Sequence, residues 1–317
     1  MIVSTTDELL EHHHEKVERE TGKKIDAYPH IDAIPEEIQK DIEILITYGN
    51  DLTEENVLRF PNLKWVQMLS AGLEDLPFAA LQNQGILVTS AKGIHAIPMS
   101  EYVIGAMLHF EKHFHRYLQL QRNQEWERET LVGEINQRSV LVYGTGSIGV
   151  KIAEKAKCFD MTVHGVNTSG RAVAPFDEVL TMEEAEMKIH EYPFVVIVLP
   201  STEKTKEIFS REYLEKMDEN AVLINVGRGD LIDEDALVDL LKDRKIRGAV
   251  LDVFQTEPLP KEHPLWTLDN AVITPHMSAK SFRYLGRCMD IFTTNYDRYQ
   301  HNQTDSLINL VDLQRHY

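Results

Sequence analysis

The stretch from Val140 to Gly149 constrains the fold more than any other part of this sequence. A continuous apolar run, Val140–Tyr143, passes directly into glycines spaced as G-x-G-x-x-G, and helix-compatible sequence follows. In such a turn the first glycine allows the tight bend, the second lets the backbone approach a pyrophosphate, and the third lets the helix pack on the strand. The pattern predicts a dinucleotide site, with a purely structural glycine turn as the alternative. The residues of this predicted dinucleotide site are Gly144, Thr145, Gly146, Ser147, Ile148 and Gly149.

The end of the next predicted strand, 162–166, bears on which dinucleotide is bound. An Asp or Glu usually ends this strand and accepts hydrogen bonds from the adenosine ribose of NAD. Here the position is Asn167, and hydroxyl side chains and an arginine follow. Loss of the carboxylate removes repulsion for a 2′-phosphate, and an arginine can pair with one. NADP(H) is therefore favoured, and NAD(H) beside a solvated loop arginine is the alternative. The candidate residues are Asn167, Thr168, Ser169 and Arg171.

Short apolar runs alternate with longer amphipathic ones along most of the chain. This alternation is typical of α/β folds with doubly wound parallel sheets. Helices are expected at 7–20, 54–60, 73–82 and 97–118, the last as one long helix with an apolar face. A length of 317 residues fits two domains. The strand candidates are 43–47, 65–68, 86–88, 139–143, 162–166, 195–199, 222–226, 248–252 and 271–273.

Composition excludes several classes of function. A formal charge of −18 argues against nucleic-acid binding, which needs a surplus of Lys and Arg. Two cysteines cannot form a disulfide framework, and no signal peptide or membrane-spanning run is present, so we expect a cytoplasmic protein. The run His12-His13-His14 is not followed by a metal-binding H-E-x-x-H pattern, so it reads as a solvated helix face, and no metal is expected.

Polar residues follow three predicted strands in the second half of the chain. Arg228 follows strand 222–226, Glu257 lies in the loop after 248–252, and His276 follows 271–273. Ligands bind at the carboxyl ends of strands in an open parallel sheet. Taken singly, each residue is more often a structural hydrogen-bonding group. Taken together, the three predict one site.

The order of these motifs resembles the D-isomer-specific 2-hydroxyacid dehydrogenase family. The motifs are G-x-G-x-x-G, then V-G-R-G at 226–229, D-V-F-x-x-E-P-L-P at 252–260 and T-P-H-x-S at 274–278. Upstream, L-S-A-G at 69–72, P-M-S-E at 98–101 and the loop at 198–205 are also similar, so the resemblance covers roughly residues 40–285. It implies two Rossmann-like or flavodoxin-like domains with a cleft between them. The nucleotide domain would be 99–284, and a discontinuous catalytic domain would join 1–98 to 285–317.

The resemblance also implies roles for individual residues. His276 would donate the proton, Glu257 would favour its protonated ring, and Arg228 would bind the substrate carboxylate and carbonyl oxygen. A loop of Ser70, Ala71 and Gly72 would hold the carboxylate; a simple turn is the alternative there. The reaction would transfer hydride between a nicotinamide cofactor and a small 2-oxoacid, with glyoxylate and hydroxypyruvate as the first substrates to test, and the protein would be a homodimer. Further cofactor contacts would be Leu199, Pro200, Thr205, Val226, Gly227, Arg228, Asp252, His276 and Ser278.

Two other functions share these features. Phosphoglycerate dehydrogenases have the same motifs, and longer members add a regulatory domain. Corepressor-like scaffolds that sense dinucleotides also keep the Arg, Glu and His. Oxidation of NADPH with a panel of 2-oxoacids separates an enzyme from such a scaffold.

Overall fold

The computed structural model describes residues 1–73 and 76–314, and the chain divides into two compact units. Unit 1 comprises Met1–Ile94 with Ser281–Tyr317, and unit 2 comprises His95–Lys280. The sequence placed these boundaries at 98/99 and 284/285, four residues further along the chain in each case. No helix in the described residues is long and apolar enough to span a membrane.

Unit 1 contains a five-stranded parallel sheet in the order β2-β1-β3-β4-β5. This is the order of flavodoxin-like folds. The strands are β1 Ile2–Ser4, β2 Ile25–Ala27, β3 Ile44–Thr47, β4 Trp65–Met68 and β5 Leu87–Thr89. The helices are α1 Glu11–Thr21, α2 Glu36–Gln39, α3 Glu54–Val57, α4 Phe78–Asn83 and, late in the chain, α11 Tyr284–Gln300.

Unit 2 contains a seven-stranded parallel sheet in the order β12-β11-β10-β9-β6-β7-β8. This is the Rossmann order with one added strand, and the strand order reverses between β6 and β9. The strands are β6 Ser139–Tyr143, β7 Thr162–Val166, β8 Glu178–Leu180, β9 Phe194–Ile197, β10 Val222–Asn225, β11 Gly248–Leu251 and β12 Ala271–Ile273. The helices are α5 Ala96–Glu111, α6 Phe114–Asn123, α7 Ser147–Lys157, α8 Met182–Lys188, α9 Arg211–Leu214 and α10 Glu234–Lys242.

The central strands of unit 2 are buried on both faces. Every residue of β9, β10 and β11 is buried, which explains why these strands read as uninterrupted apolar runs. One face packs on a cluster that includes Val142, Ile152 and Val196, and the other on a cluster that includes Tyr143 and Phe209. With both faces covered, polar side chains have access to ligands only where the strands end.

The prediction of a single helix at 97–118 was wrong. The chain forms α5 and α6 instead, because His113 adopts a left-handed conformation with φ 52° and interrupts the helix. The predictions also omitted β1, β2 and β8, each only three residues long, and the helix α11. The helix expected at 73–82 is observed at 78–83, and residues 74 and 75 lie outside the described part of the chain.

The reading of His12-His13-His14 as a solvated face was wrong for the middle residue. His13 is only 4% exposed. Its Nδ1 accepts a hydrogen bond of 3.1 Å from the backbone N–H of Leu10 at the start of α1. Burial, and then the neighbouring His12 and His14, lower the pKa of His13.

This environment predicts that His13 destabilises the protein in mild acid. Because its pKa is lowered on folding, the unfolded chain binds a proton there first, so stability falls as pH drops through about 6.5 and levels off below the lowered pKa. His13→Asn retains an acceptor but does not titrate, so its Tm should fall less between pH 7.5 and 5.5. The sign of this difference follows from the direction of the His13 pKa shift, and thermal melts at the two pH values measure it. His12→Asn, on the exposed face, is the control; an equal benefit there contradicts the argument.

Candidate active site

The glycine-rich turn joins β6 to α7 beside the point where the strand order reverses. Gly144 has φ 110°, a conformation that glycine adopts without strain. A Cβ on Gly149 would lie 1.9 Å from the carbonyl oxygen of Gly144, so a larger residue there would push α7 off the strand. Both glycines are therefore required by the backbone.

The outer side of this turn is open and lined by donors. A Cβ on Gly146 would meet no atom within 4 Å. The first amides of α7 have no acceptor within the helix, and the helix dipole adds partial positive charge there. Exposed Gly146 and Ser147 thus border a space where a diphosphate can approach the backbone. These features fit a dinucleotide.

Asn167 organises the loop after β7. Its Nδ2 donates to Thr145 Oγ1 at 3.1 Å and to the carbonyl of Arg171 at 3.0 Å. Its Oδ1 accepts from the backbone N–H of Ser169 at 3.1 Å. The amide therefore ties the glycine-rich turn to the loop that carries Arg171, whose side chain is exposed.

The loop after β10 holds Arg228 at the carboxyl edge of the same sheet. Asn225 fixes the turn, since its Oδ1 accepts from Gly227 N and its Nδ2 donates to the Arg228 carbonyl. Arg228 is exposed, and its Nη1 donates to the Gly227 carbonyl at 2.8 Å. His95 lies close enough that, after burial, the Arg228 charge is the second cause lowering the His95 pKa. The imidazole of His95 is thereby biased toward its neutral form.

Asp252 directly follows β11 and is fully buried. Its Oδ1 accepts hydrogen bonds from Thr274 Oγ1 at 2.6 Å and from Met277 N at 2.8 Å, and its Oδ2 accepts from Ser278 N at 2.9 Å. Tyr102 of α5 contacts the same threonine hydroxyl at 2.6 Å. Asp252 was predicted to contact the cofactor or to orient catalytic groups. Its carboxylate binds the 274–278 loop, which carries His276.

His276 and Glu257 form a hydrogen-bonded pair. His276 Nδ1 lies 2.8 Å from Glu257 Oε2, and Glu257 Oε1 accepts from Phe254 N at 3.0 Å. His276 has φ 48°, and its backbone N–H donates to the Asp252 carbonyl at 2.8 Å. A non-glycine residue in this conformation is held there by its surroundings. The imidazole is half exposed, so its other nitrogen is accessible to a substrate.

The three loops that carry Arg228, Glu257 and His276 contact one another. A Cβ on Gly229 would lie 1.9 Å from the carbonyl carbon of Phe254, so the loop after β10 presses on the loop after β11. Phe254 N binds Glu257, and Glu257 binds His276. The three residues predicted from the sequence thus follow three neighbouring strands, β10, β11 and β12, and their loops are packed together.

The remaining predicted residues occupy other strand ends. In unit 2, Leu199 and Pro200 follow β9, with Thr205 Oγ1 donating to the Pro200 carbonyl at 2.8 Å. In unit 1, Ser70, Ala71 and Gly72 follow β4. Ser70 Oγ donates to the carbonyls of Gly72 at 2.8 Å and Tyr48 at 3.3 Å. Within the described ranges, no group of three or more His, Cys, Asp or Glu side chains is arranged to hold a metal ion.

Sequence reasoning assigned no role to four residues at or near these strand ends: His95, Tyr102, Asn225 and Tyr48. Asn225 directly precedes the V-G-R-G motif at 226–229, so its position next to that motif was a usable signal. The other three lie far along the chain from their partners. Tyr102, for example, is 172 residues from Thr274, and no local pattern links the two.

This fold and site define a nicotinamide dinucleotide-dependent oxidoreductase, and comparison with known proteins gives its family. The sequence model of the D-isomer specific 2-hydroxyacid dehydrogenase, NAD binding domain, matches residues 104–278. A D-3-phosphoglycerate dehydrogenase of Methanocaldococcus jannaschii is 33% identical over 76% of this chain and 47% of its own length. A glyoxylate reductase of Thermofilum pendens is 28% identical over 81% of this chain and 78% of its own.

A solved structure agrees with these sequence matches. A D-isomer specific 2-hydroxyacid dehydrogenase family protein from Aeromonas salmonicida is 32% identical, with a TM-score of 0.80 over 98% of both chains. The chain belongs to the D-isomer specific 2-hydroxyacid dehydrogenase family. It is an NAD(P)-dependent enzyme that acts on the CH–OH group of its donor.

The position of Asp252 predicts a combined loss of stability and activity on substitution. In Asp252→Asn the amide group offers a donor where the carboxylate accepted from backbone N–H groups, which should cost about 1–3 kcal/mol. The displaced 274–278 loop should also lower kcat, on the order of 10–100-fold, because catalytic groups tolerate little misplacement. Tm and steady-state rates measure the two effects. Asp243→Asn, at the exposed end of α10, is the control; a destabilised Asp252→Asn with normal kcat contradicts the positioning role.

Proposed function

We propose that the protein reduces small 2-oxoacids to D-2-hydroxyacids, using NADPH. The observation that carries this proposal is the pairing of His276 with Glu257, held at 2.8 Å beside the loop of Arg228. When bound, the nicotinamide supplies the hydride that reduces the ketone carbon. The residues of this chain would then bind the oxoacid, orient it and deliver the proton.

The hydrogen bonds of His276 determine which ring nitrogen faces the substrate. A carboxylate only accepts, so Glu257 Oε2 assigns the hydrogen to Nδ1. Nε2 is then the nitrogen that donates a proton to the carbonyl oxygen in reduction and accepts one in oxidation. Glu257 is itself held by Phe254 N, so the ring cannot rotate without breaking the pair.

Arg228 supplies the charge that a 2-oxoacid needs. Its planar guanidinium can bind a carboxylate with two parallel hydrogen bonds and can stabilise negative charge that develops on the carbonyl oxygen. The hydrogen bond from Nη1 to the Gly227 carbonyl restricts the side chain before substrate binds.

These roles predict the effect of substitutions in the pair. His276→Gln should lower kcat for reduction about 10²–10⁴-fold, the usual contribution of a positioned acid. Glu257→Gln keeps the shape but replaces a group that only accepts hydrogen bonds with an amide, so the imidazole is held less firmly and kcat should also fall.

The measurement is NADPH oxidation with glyoxylate, hydroxypyruvate, pyruvate and 3-phosphohydroxypyruvate across pH 5–9. Glu262→Gln, exposed in the same loop, is the control. If the wild-type protein binds NADPH but does not oxidise it with any of these 2-oxoacids, the dinucleotide-sensing scaffold is favoured instead. Preference for the phosphorylated substrate would favour phosphoglycerate dehydrogenase, the activity named for the Methanocaldococcus jannaschii relative.

The preference for NADPH rests on the loop after β7. Asn167 occupies the position where a carboxylate would repel a 2′-phosphate. Its Nδ2 also donates to the Arg171 carbonyl, which fixes the backbone from which the Arg171 side chain extends. Arg171 is exposed and therefore available to a phosphate. An arginine near this strand end is the usual partner of the 2′-phosphate.

Cofactor kinetics test this preference. Arg171→Ala should lower kcat/KM for NADPH about 10–100-fold, since a hydrogen bond to a charged group contributes about 1.5–3 kcal/mol, and should change kcat/KM for NADH little. Asn167→Asp should move the preference toward NADH. Arg244→Ala is the control, because Arg244 precedes β11 and so lies toward the amino ends of the strands, away from the loop of Arg171. The proposal is wrong if the wild type prefers NADH or if Arg171→Ala leaves the ratio unchanged.

We also propose a homodimer formed through unit 2 and located in the cytoplasm. The segment 114–132 exposes several large apolar side chains, among them Trp126 and Leu131, each 91% exposed. Concentrated apolar surface of this kind favours association. The free thiols of Cys158 and Cys288 suit a reducing compartment.

Sedimentation velocity tests the dimer. The wild type should sediment as a dimer of 36.4 kDa subunits, and Leu118→Glu should shift it toward monomer because burying the new charge is costly. Trp266→Ser, another exposed apolar position in unit 2, should leave the dimer intact. A monomeric wild type would refute the proposal.

A further inference from the structure

Three hydrogen-bonded side chains join helix α5 to the loop that carries His276. The hydroxyl oxygen of Tyr102, on α5, lies 2.6 Å from Thr274 Oγ1. Thr274 directly follows β12, and its hydroxyl donates to Asp252 Oδ1, also at 2.6 Å. All three residues belong to unit 2, and Tyr102 is the one that comes from a helix rather than from a strand end. The 274–278 loop is thus held from two sides.

The direction of each hydrogen bond follows from the hydrogens that are present. Asp252 also receives the backbone N–H groups of Met277 and Ser278, so its carboxylate is an acceptor. A hydroxyl has one hydrogen to donate, and that of Thr274 is used on Asp252. Tyr102 must therefore be the donor in its bond to Thr274. Burial raises the pKa of Tyr102 to about 12, so the phenol keeps this hydrogen across pH 5–9.

Thr274 forms part of the turn that holds His276. The backbone N–H of His276 donates to the carbonyl of Asp252 at 2.8 Å and to that of Thr274 at 3.0 Å. His276 has φ 48°, a conformation that its surroundings must impose. A shift of Thr274 would move one of the two carbonyls on which this conformation depends. Bonds from Tyr102 and to Asp252 prevent that shift.

Packing of the Tyr102 ring fixes where its hydroxyl lies. The ring is half-buried and packs against the apolar cluster that includes Val226 and Val272. On the same helix, Val103 and Met107 are fully buried in this cluster. Because α5 cannot move from the sheet without opening the core, the Tyr102 hydroxyl is a donor at a fixed position beside the 274–278 loop.

We propose that Tyr102 is a positioning residue for proton transfer, which donates to Thr274 and so holds the 274–278 loop in the arrangement that directs His276 toward the substrate. The inference rests on the proposed function, because it takes His276 as the proton donor. Phenylalanine at position 102 would keep the packing but leave the Thr274 oxygen without its donor. The expected defect is a small displacement of His276 in a folded protein.

Tyr102→Phe tests this role because it removes only the hydroxyl. We expect kcat for reduction of the best 2-oxoacid to fall about three- to tenfold, since catalytic groups tolerate little misplacement. KM for NADPH and for the 2-oxoacid should each change less than about twofold, because neither binding site is altered. The solvent deuterium isotope effect on kcat should rise, since proton transfer from a displaced His276 limits the rate more strongly.

Tyr192→Phe is the matched control. The Tyr192 hydroxyl also makes a 2.6 Å hydrogen bond, to His164 Nδ1, but Tyr192 precedes β9 and so lies toward the amino ends of the strands. This variant should lose thermal stability, as Tyr102→Phe does, because each loses one hydrogen bond. It should keep the wild-type kcat and isotope effect. Thermal melts and steady-state kinetics in H₂O and D₂O measure both properties.

Variants of Thr274 test the same link from its other end. Thr274→Ser keeps the hydroxyl and should retain at least about half of the wild-type kcat, whereas Thr274→Val should lower kcat more than Tyr102→Phe does, since Asp252 also loses a donor. Adding Tyr102→Phe to Thr274→Val should change kcat less than about twofold, because the two residues share one link. Tyr102→Phe should add as little in His276→Gln, where the positioned acid is absent.

The outcomes separate this inference from the proposed function. If the wild type reduces no 2-oxoacid, or if His276→Gln is fully active, the proposed proton donor is wrong and the role of Tyr102 fails with it. If His276→Gln is impaired but Tyr102→Phe has the wild-type kcat and isotope effect, only the role of Tyr102 is overturned. An equally large effect of Tyr102→Phe in the His276→Gln background overturns it as well. If circular dichroism shows that Tyr102→Phe is unfolded, Thr274→Ser and Thr274→Val are compared, and equal kcat in these two variants overturns the role.

Discussion

The carboxylate of Asp252 organises the end of the sheet that bears the His276–Glu257 pair. It is fully buried and accepts three hydrogen bonds from the loop that follows β12, and its backbone carbonyl accepts the N–H of His276. Burying a carboxylate is costly unless such donors surround it. The loop therefore has one arrangement that satisfies Asp252, and that arrangement holds His276 in its left-handed conformation within reach of Glu257. The orientation of the His276 imidazole thus depends on Asp252, whose side chain binds other groups of the same loop rather than the imidazole.

The parallel sheet explains why so few residues suffice for the site. With β9, β10 and β11 buried on both faces, the loops at their carboxyl ends are the places where polar groups face solvent. Small residues bring these loops together: Gly149 lets α7 approach β6, and Gly229 lets the Arg228 loop press on Phe254. The glycine-rich turn and the His276–Glu257 pair consequently lie at the carboxyl ends of the strands of one sheet. Unit 1 repeats the principle with a different strand order, placing Ser70 to Gly72 at the end of its own strand β4.

Most of the fold was predictable, and Arg228, Glu257 and His276 could be singled out as site candidates, because these signals are local. Four strands, Trp65–Met68, Ser139–Tyr143, Thr162–Val166 and Ala271–Ile273, were placed at their observed bounds. Continuous apolar runs mark strands buried on both faces, and the glycine spacing marks a turn with backbone requirements. The three-residue strands β1, β2 and β8 were missed because so short a run carries too little pattern. The break between α5 and α6 was missed because an apolar period of three to four residues continues through His113, whose left-handed backbone has no local sequence signature.

The sequence by itself determined the family and the strand-turn-helix unit at 140–149, and it singled out Arg228, Glu257 and His276 as candidates for one site. These are properties of short segments and of their order along the chain. Only the tertiary structure decided that Asp252 is the buried acceptor for a loop 22–26 residues away, and that His95 lies beside Arg228. It also decided that His13 is a buried cap at the start of α1. Hydrogen-bond partners come from separate strands and loops, so their meeting depends on how the sheets are assembled rather than on neighbours in the sequence.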